Sequence, residues 1–267
     1  MPNILEKIIS AKKDKIKKYK QSYSENILLE KIKEIKNFND FMKKMNLRNK
    51  EKKISIIAEI KKSSPSSGEI IKNFNPLEIA KIYIENGASF LSVLTEENFF
   101  SGKLDHLKII KDKYDIPILC KDFFIDTYQV TLAKSFGADC ILIILSAIDK
   151  ALAKDLYQTA IDLKISTLVE VHNEKEIEFA LSFENSLIGI NNRNLKTLDV
   201  SLNNTIKLSK SLVSHKNSLI CESGINYPED IRTVVKNADI YNFLIGESLL
   251  KSKNIASKLN ELSRITL

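Results

Sequence analysis

Charged side chains recur at the ends of short apolar runs, and their types suit acid–base chemistry. Glu59 and Lys61 follow the run SIIA with one residue between them, so on a strand both side chains lie on the same face. Lys121 ends the run PILC, Glu170 ends STLV and Glu222 ends LIC. An ammonium group can donate a proton and a carboxylate can accept one. The set predicts general acid–base catalysis at a shared site.

Two residues of this set are the strongest candidates for proton transfer. Lys121 is the candidate general acid, and we expect its partial burial to lower its pKa. Glu170 is the candidate general base, and its apolar neighbours predict a raised pKa. His172 lies two residues further on, but a lone histidine that opens a loop is more often structural. Asp122 is interpreted as a loop anchor.

Eight buried strands are needed to position these side chains. The apolar runs predict strands at 54–60, 89–94, 117–121, 139–145, 166–171, 186–191, 218–222 and 241–246. Helix-forming segments such as NPLEIAKIYIENG separate them, as in repeated strand–crossover–strand units. This α/β pattern predicts a (β/α)8 TIM barrel, in which the strand ends converge on one mouth.

The domain organisation follows from the same pattern. We expect residues 54–267 to form the catalytic barrel. Residues 1–53 carry apolar positions at helical spacing over 3–20 and 25–45, which predicts an N-terminal helical extension packed on the barrel. A chain of 267 residues suits one such barrel, so we expect a single structural domain overall.

Two loops of this barrel have the composition of a phosphate site. ESG at 222–224 and IGES at 245–248 follow the predicted seventh and eighth strands, where small residues leave backbone N–H groups free to bind an anion. Asn191 and Arg193, in the segment GINNRN, offer amide and guanidinium donors that can orient a carboxylate.

Composition argues against several other function classes. The net charge of +7 is concentrated in residues 1–53, which hold 16 Lys and Arg against 7 Asp and Glu. Interleaved acids and the absence of Trp favour a solvated helix face over a nucleic-acid or membrane patch. We expect neither a nucleic acid nor a membrane partner.

The cysteines and the short motifs complete these expectations. Three scattered cysteines predict reduced thiols in a cytoplasmic protein, and the N-terminus has no export signal. The three histidines lack metal-ligand spacing, and GxGxxG and GxxxxGK[ST] are absent, so we expect no metal, dinucleotide or ATP.

Segments on all eight predicted strands resemble the indole-3-glycerol phosphate synthase family. They are IIAEIKKSSPSSG, SVLTEENFFSG, PILCKDFFIDTYQV, GADCILIILS, LVEVHNEKE, IGINNRNLKTLDVSL, ESGI and FLIGESL. The resemblance implies a cofactor-free carboxy-lyase of tryptophan biosynthesis. It would close the ring of 1-(o-carboxyphenylamino)-1-deoxyribulose 5-phosphate to indole-3-glycerol phosphate, with loss of carbon dioxide and water. The expected partner is this small anionic phosphorylated substrate, and we expect a monomer or weak homodimer.

The resemblance also implies roles for individual residues. Lys121 would protonate the ketone, Glu170 would take a proton during dehydration, and Lys61, oriented by Glu59, would shuttle protons. The implied catalytic set is Lys121, Glu170, Lys61, Glu59, Asn191 and Glu222. The implied substrate-binding set is Ser64, Arg193, Phe99, Phe123, Leu142 and Leu195, with Phe100 as a further apolar wall; core packing explains the apolar members nearly as well.

The implied phosphate ligands are Lys61, Ser223, Gly224, Gly246 and Glu247. Glu247 departs from the family, which usually has a small Ser or Ala there. A carboxylate beside a phosphate would repel it, so we expect this side chain to turn outward and the backbone N–H to bind.

Two alternative functions stay open from the sequence. One is a sugar-phosphate isomerase on a related barrel, although such enzymes place Cys or Asp where this chain has Glu59 and Lys61. The other is an inert barrel with a basic N-terminal arm for nucleic acid, whose binding would weaken steeply with salt.

Overall fold

The computed structural model describes residues 4–194 and 197–266. Eight parallel strands close into a barrel in which each strand pairs with its neighbours in sequence and the last pairs with the first. The strands are β1 (Ser55–Ile60), β2 (Phe90–Leu94), β3 (Ile118–Lys121), β4 (Cys140–Ile144), β5 (Ser166–Val171), β6 (Leu187–Asn191), β7 (Leu219–Glu222) and β8 (Asn242–Ile245). Every predicted strand is confirmed, with each end within one residue of its predicted position.

Helices precede the barrel and connect its strands. In the described residues they are α1 (Ile4–Ser22), α2 (Glu25–Glu34), α3 (Phe41–Lys50), α4 (Pro76–Glu85), α5 (Leu104–Lys113), α6 (Tyr128–Ser135), α7 (Lys150–Asp162), α8 (Glu174–Ala180), α9 (Asn203–Ser209), α10 (Pro228–Ala238), α11 (Glu247–Leu250) and α12 (Ile255–Ser263). Local signals set several of their ends. Asn75, for example, caps α4 by accepting from the backbone N–H of Leu77 at 3.1 Å.

The segment predicted as one helix over 25–45 is two helices, so that prediction was wrong. The chain leaves the helical conformation after Glu34 and resumes it at Phe41. Asp40 caps the new helix by accepting from the N–H of Lys43 at 2.9 Å. Asn39 is held by the barrel, because its backbone N–H donates to Asp139 at 2.7 Å. These tertiary bonds and the cap outweigh a helical spacing of apolar residues.

Helix α3 closes the end of the barrel where the strands begin. Phe41 and Met45 are fully buried in the cluster that fills the barrel interior, together with Ile57, Phe90 and Leu119. The Phe41 and Phe90 rings lie 4.6 Å apart. One end of the barrel is therefore filled by apolar side chains, which leaves the other end for a polar site.

Helix α1 lies along the opposite end, against the loops that follow β2 and β3. Lys12 Nζ is 2.7 Å from Asp122 Oδ1, and both side chains are buried. The Tyr19 hydroxyl donates to Glu97 at 2.5 Å, and Lys20 pairs with Asp126 at 2.7 Å. Asp122 thus anchors a loop, as interpreted from the sequence. The N-terminal helices contact both ends of the barrel.

Candidate active site

A cavity of about 850 Å³ opens at the carboxyl ends of the strands. Side chains that the sequence places far apart meet there because parallel strands deliver their ends to one rim. The predicted residues that line it are Glu59, Lys61, Lys121, Phe123, Leu142, Glu170, Asn191, Arg193, Glu222, Ser223, Gly224, Gly246 and Glu247. No described residue of α1, α2 or α3 lines this cavity.

Lys121 lies between two buried carboxylates at the base of the cavity. Its Nζ donates to Glu170 Oε2 at 3.0 Å and to Glu222 Oε2 at 3.1 Å. Glu170 comes from β5 and Glu222 from β7, and each is nearly inaccessible to solvent. A single cation therefore faces two potential anions in a poorly hydrated environment, where charge interactions are strong.

The protonation states of these three groups follow from their contacts. Burial alone would lower the pKa of Lys121, but Glu170 and Glu222 outweigh it and raise that pKa well above its usual value. Burial would raise the pKa of Glu170, yet Lys121 and His172 hold it well below its usual range. Both directions are opposite to those expected from the sequence, and those expectations were wrong. Lys121 stays protonated and Glu170 stays ionised.

Glu222 differs from Glu170 in both its pKa and its bonding. Burial raises the pKa of Glu222 to about 8, with a further contribution from the negative charge of Glu170 that Lys121 only partly offsets. Its Oε1 is buried and has no hydrogen-bond partner among the described residues, whereas Oε2 contacts Lys121. Two adjacent carboxyl groups thus hold their protons with very different strengths, which suits acid and base roles at one pH.

His172 belongs to this cluster, although the sequence favoured a purely structural role. Its Nε2 lies 3.2 Å from Glu170 Oε1, and its Nδ1 lies 3.6 Å from Glu176 Oε2. Burial would lower the pKa of His172, but the two carboxylates raise it to about 10. The spacing Glu-Val-His was the available signal, because two residues along a strand share a face. His172 holds Glu170 in place and keeps it ionised.

Two glycines make room for the buried carboxylates. A Cβ atom built on Gly189 would overlap Glu222 Oε1, and one built on Gly246 would lie 2.5 Å from Glu59 Oε1. Gly189 lies in β6, which pairs with the strand of Glu222, and Gly246 directly follows β8, which pairs with the strand of Glu59. Small residues at these two positions are a requirement of the site.

Glu59 and Lys61 form a second ion pair on the rim. Lys61 Nζ donates to Glu59 Oε1 at 2.7 Å, and both side chains are mostly buried. The loop after this pair folds into a small antiparallel hairpin of Ser63–Ser64 with Gly68–Glu69. The pair places an ammonium group on the rim of the same cavity as Lys121.

Hydrogen bonds at the end of β6 fix the loop that follows β7. Asn191 Oδ1 accepts from the Ser223 hydroxyl at 2.9 Å and from the Arg193 N–H at 3.0 Å. Ser223 and Gly224 have positive φ angles of 66° and 92°, a conformation that turns the backbone sharply at the rim. Asn191 thereby positions both the β7 loop and Arg193.

The Glu247 carboxylate lies among polar and cationic groups and not free in solvent. Its Oε1 accepts from Ser67 at 2.8 Å and from Lys251 at 2.5 Å, and its Oε2 is 3.4 Å from Arg193. Burial would raise the pKa of Glu247, but Lys251 and Ser67 outweigh it and lower that pKa. The expected outward turn is therefore absent: this ionised side chain lines the mouth.

Apolar side chains form the remaining wall of the cavity. Phe100, Phe123 and Leu142, three of the candidate wall residues, line it together with Leu94 and Ile144, and their contact with a substrate stays a prediction. The Phe100 and Phe123 rings lie 6.2 Å apart. A flat aromatic ligand fits such a surface.

Two predicted binding residues of the described chain, Phe99 and Ser64, are not among the residues that line the cavity. The Phe99 N–H donates to Glu96 at 2.7 Å, and Phe100 takes the cavity position. Ser64 Oγ accepts from the Ser67 N–H at 3.2 Å, so its hydroxyl shapes the loop after β1. Leu195 lies outside the described residues. Substrate contact by these three residues stays a prediction.

Neither a metal cluster nor a spanning helix is found in residues 4–194 and 197–266. No group of three or more His, Cys, Asp or Glu side chains there could hold a metal ion. No helix in the same ranges has the length and apolar character needed to cross a bilayer.

Comparison with known proteins gives matches over nearly the whole chain. The model of the family described as indole-3-glycerol phosphate synthase matches residues 5–262. A relative named indole-3-glycerol phosphate synthase from Bordetella pertussis is 39% identical over 262 residues, covering 98% of this chain and 99% of the relative. One of the same name from Legionella pneumophila is 48% identical over 208 residues, covering 78% of this chain and 80% of the relative.

Solved structures share the barrel at low sequence identity. Tryptophan synthase subunit alpha from Legionella pneumophila superposes with a TM-score of 0.64 at 13% identity, covering 85% of this chain and 98% of that one. A likeness at this identity shows the fold alone.

Proposed function

We propose how the site works from one premise: the chain belongs to the indole-3-glycerol phosphate synthase family. Its function is that of a carboxy-lyase in tryptophan biosynthesis, and enzymes of this family bind a phosphorylated substrate. The reaction closes the ring of 1-(o-carboxyphenylamino)-1-deoxyribulose 5-phosphate with loss of carbon dioxide and water. Family membership favours this reaction over the isomerase alternative, and the roles below are our assignment.

Lys121 is the general acid of ring closure. The aromatic carbon attacks the substrate ketone, whose oxygen gains negative charge and needs a proton. Lys121 is protonated because Glu170 and Glu222 hold it between them at 3.0 and 3.1 Å, and this geometry is the observation that carries the proposal. The ammonium group can stabilise the oxygen and then donate to it.

Glu170 is the base of the later dehydration. A hydroxyl leaves and a proton is removed from the intermediate, which requires an ionised carboxylate. Lys121 and His172 keep the pKa of Glu170 well below its usual range despite burial, so the carboxylate is available at neutral pH. Glu222 holds a proton more strongly, which makes it the natural member of the pair to carry one while Glu170 is ionised.

The second ion pair acts on the departing hydroxyl and on substrate anions. Lys61 is within 2.7 Å of Glu59, which orients the ammonium group on the cavity rim. Asn191 fixes Arg193, whose guanidinium can bind a carboxylate, while Phe123 and Leu142 contact the aromatic ring. Ser223, Gly224, Gly246 and the N–H of Glu247 form the phosphate end.

Several broader expectations remain proposals. We propose that residues 1–53 pack on the barrel of 54–267 as one unit, which the buried Lys12–Asp122 pair supports. We also propose that the chain binds no nucleic acid, which the pairing of Lys12 and Lys20 with barrel carboxylates supports. It acts in the cytoplasm, in keeping with its three free buried cysteines. A monomer or weak homodimer remains our expectation.

The test is turnover of the carboxyphenylamino substrate, followed by the appearance of indole fluorescence. The unmodified protein should turn it over, Lys121→Met should lose about 100- to 10,000-fold, and the exposed Lys154→Met should match the unmodified protein. Absence of turnover in the unmodified, folded protein would contradict the proposed function.

A further inference from the structure

The Glu247 carboxylate occupies a cradle of positive charge on the phosphate side of the mouth. Lys251 Nζ is 2.5 Å from Oε1 and Arg193 NH2 is 3.4 Å from Oε2. The Ser67 hydroxyl donates at 2.8 Å, and Lys61 adds a further attractive charge. A lysine, an arginine and a hydroxyl around one anion are the kind of ligands that proteins use for phosphate.

The same cradle adjoins the loops assigned to the phosphate. Glu247 directly follows Gly246 and begins α11, while Gly224 and Ser223 line the facing loop. A phosphate held by the backbone N–H groups of these loops would lie beside the Glu247 side chain. Two anions cannot share these cations at low cost, because like charges a few ångströms apart repel strongly in a partly desolvated site.

We propose that the Glu247 carboxylate is an internal competitor for the substrate phosphate, holding its cationic ligands in the free protein and leaving them when substrate binds. The inference rests on the proposed function, because it assigns the competing ligand as the substrate phosphate. Both the Glu247 and the Lys251 side chains are partly exposed, at 30% and 51%, so the carboxylate can rotate into solvent without passing through the core. Glu247 is then a determinant of phosphate affinity that acts by occupying the site.

This competition predicts the effect of replacing Glu247 on the affinity for phosphate. Removing the carboxylate should tighten binding, because the cations no longer have to give up an intramolecular partner. A residue that served as a ligand or as a purely structural brace would have the opposite effect when removed.

The experiment compares the unmodified protein with Glu247→Gln, which keeps the shape and removes the charge, and with Glu247→Ser, which removes both. The exposed Glu229→Gln is the matched control, since Glu229 pairs only with Arg232 in the described contacts and lies outside the cavity lining. The probes are the phosphorylated substrate, inorganic phosphate as a competing inhibitor, and a dephosphorylated product analogue.

We expect KM for the substrate and the inhibition constant for inorganic phosphate to fall roughly tenfold in both Glu247 variants, a size typical of one charge interaction in a half-buried site. The gain should lie in KM and not in kcat. Affinity for the dephosphorylated analogue should not change, nor should any constant of Glu229→Gln.

Two results would overturn this inference while leaving the proposed function standing. A higher or unchanged KM in both variants would make Glu247 a ligand, a brace or a bystander. An equal gain in affinity for the dephosphorylated analogue would show that the loss of the Glu247 charge acts on ligand binding in general and not on the phosphate. Either result contradicts only this inference, provided that the unmodified protein turns over substrate and is inhibited by phosphate. If the unmodified protein neither turns over substrate nor binds phosphate, the proposed function fails and takes the inference with it.

Discussion

Replacing Glu222 by glutamine should change how the stability of the protein depends on pH. The carboxyl group of Glu222 is buried, and its Oε1 has no hydrogen-bond partner in the part of the chain that the structure describes. Burial raises the pKa of Glu222 to about 8 from a usual value of 4.5. Between these values the folded protein keeps a proton that the unfolded chain has released. Raising the pH over this interval therefore favours unfolding.

The size of the effect follows from the interval. At about 1.4 kcal/mol for each pH unit, the shift from 4.5 to about 8 sets an upper bound of about 5 kcal/mol. Glu222 is coupled to Glu170 and Lys121, so part of this linkage belongs to the cluster and not to Glu222 alone. Between pH 5 and pH 8.5 we expect the unmodified protein to lose about 2 kcal/mol more of its free energy of unfolding than Glu222→Gln loses. This difference corresponds to about 4 to 8 °C in Tm.

The assay is a set of thermal unfolding curves at intervals of pH between 5 and 8.5. Each pH compares the unmodified protein with Glu222→Gln and with the exposed control Glu229→Gln. The Tm of the unmodified protein should fall towards high pH more steeply than that of Glu222→Gln, while Glu229→Gln should run parallel to the unmodified protein. Parallel curves for all three proteins would refute the raised pKa of Glu222.

Three further variants test the site. Lys121→Met should bind substrate within an order of magnitude of the unmodified protein while its turnover falls about 100- to 10,000-fold, so a comparable loss of binding in calorimetry would make Lys121 a binding residue. Glu170→Gln should lower turnover by a similar factor, because the amide cannot accept a proton; retained activity with an unchanged pH profile would move the base role to Glu59. A phosphorylated product analogue should bind far more tightly than its dephosphorylated counterpart, and Gly246→Val should reduce that preference and disturb Glu59, whose Oε1 lies 2.5 Å from the added Cβ. Equal affinities in calorimetry would count against a phosphate site at strands seven and eight.

The positions of the strands and the membership of the site could be predicted from the sequence. Buried parallel strands are short and almost wholly apolar, so a charged residue such as Lys121 or Glu222 marks where one ends. Closure of the barrel then brings these ends together whatever their separation in the chain. Most of the predicted site residues therefore line one cavity.

The protonation states could not be predicted in the same way. The local sequence around Lys121 and Glu170 is apolar, which indicates desolvation, and desolvation alone shifts each pKa in the wrong direction. The deciding groups lie 49 and 101 residues from Lys121, on β5 and β7. Only the closed barrel sets those distances. His172 was underrated for the same reason, since its role depends on the orientation of Glu170.

The contacts of α1 have a consequence for the order of folding during synthesis. This helix is synthesised before the barrel residues that it contacts. Its partners Glu97 and Asp126 lie 78 and 106 residues beyond Tyr19 and Lys20, and Asp122 lies further still beyond Lys12. Chain synthesis adds about 5 to 20 residues each second, so those loops are made several seconds after α1. A lone amphipathic helix is marginal in water, so α1 gains its stability only after β3 has been made. A helix that precedes the barrel in the chain is therefore fixed in place only after the loops that follow β2 and β3 exist.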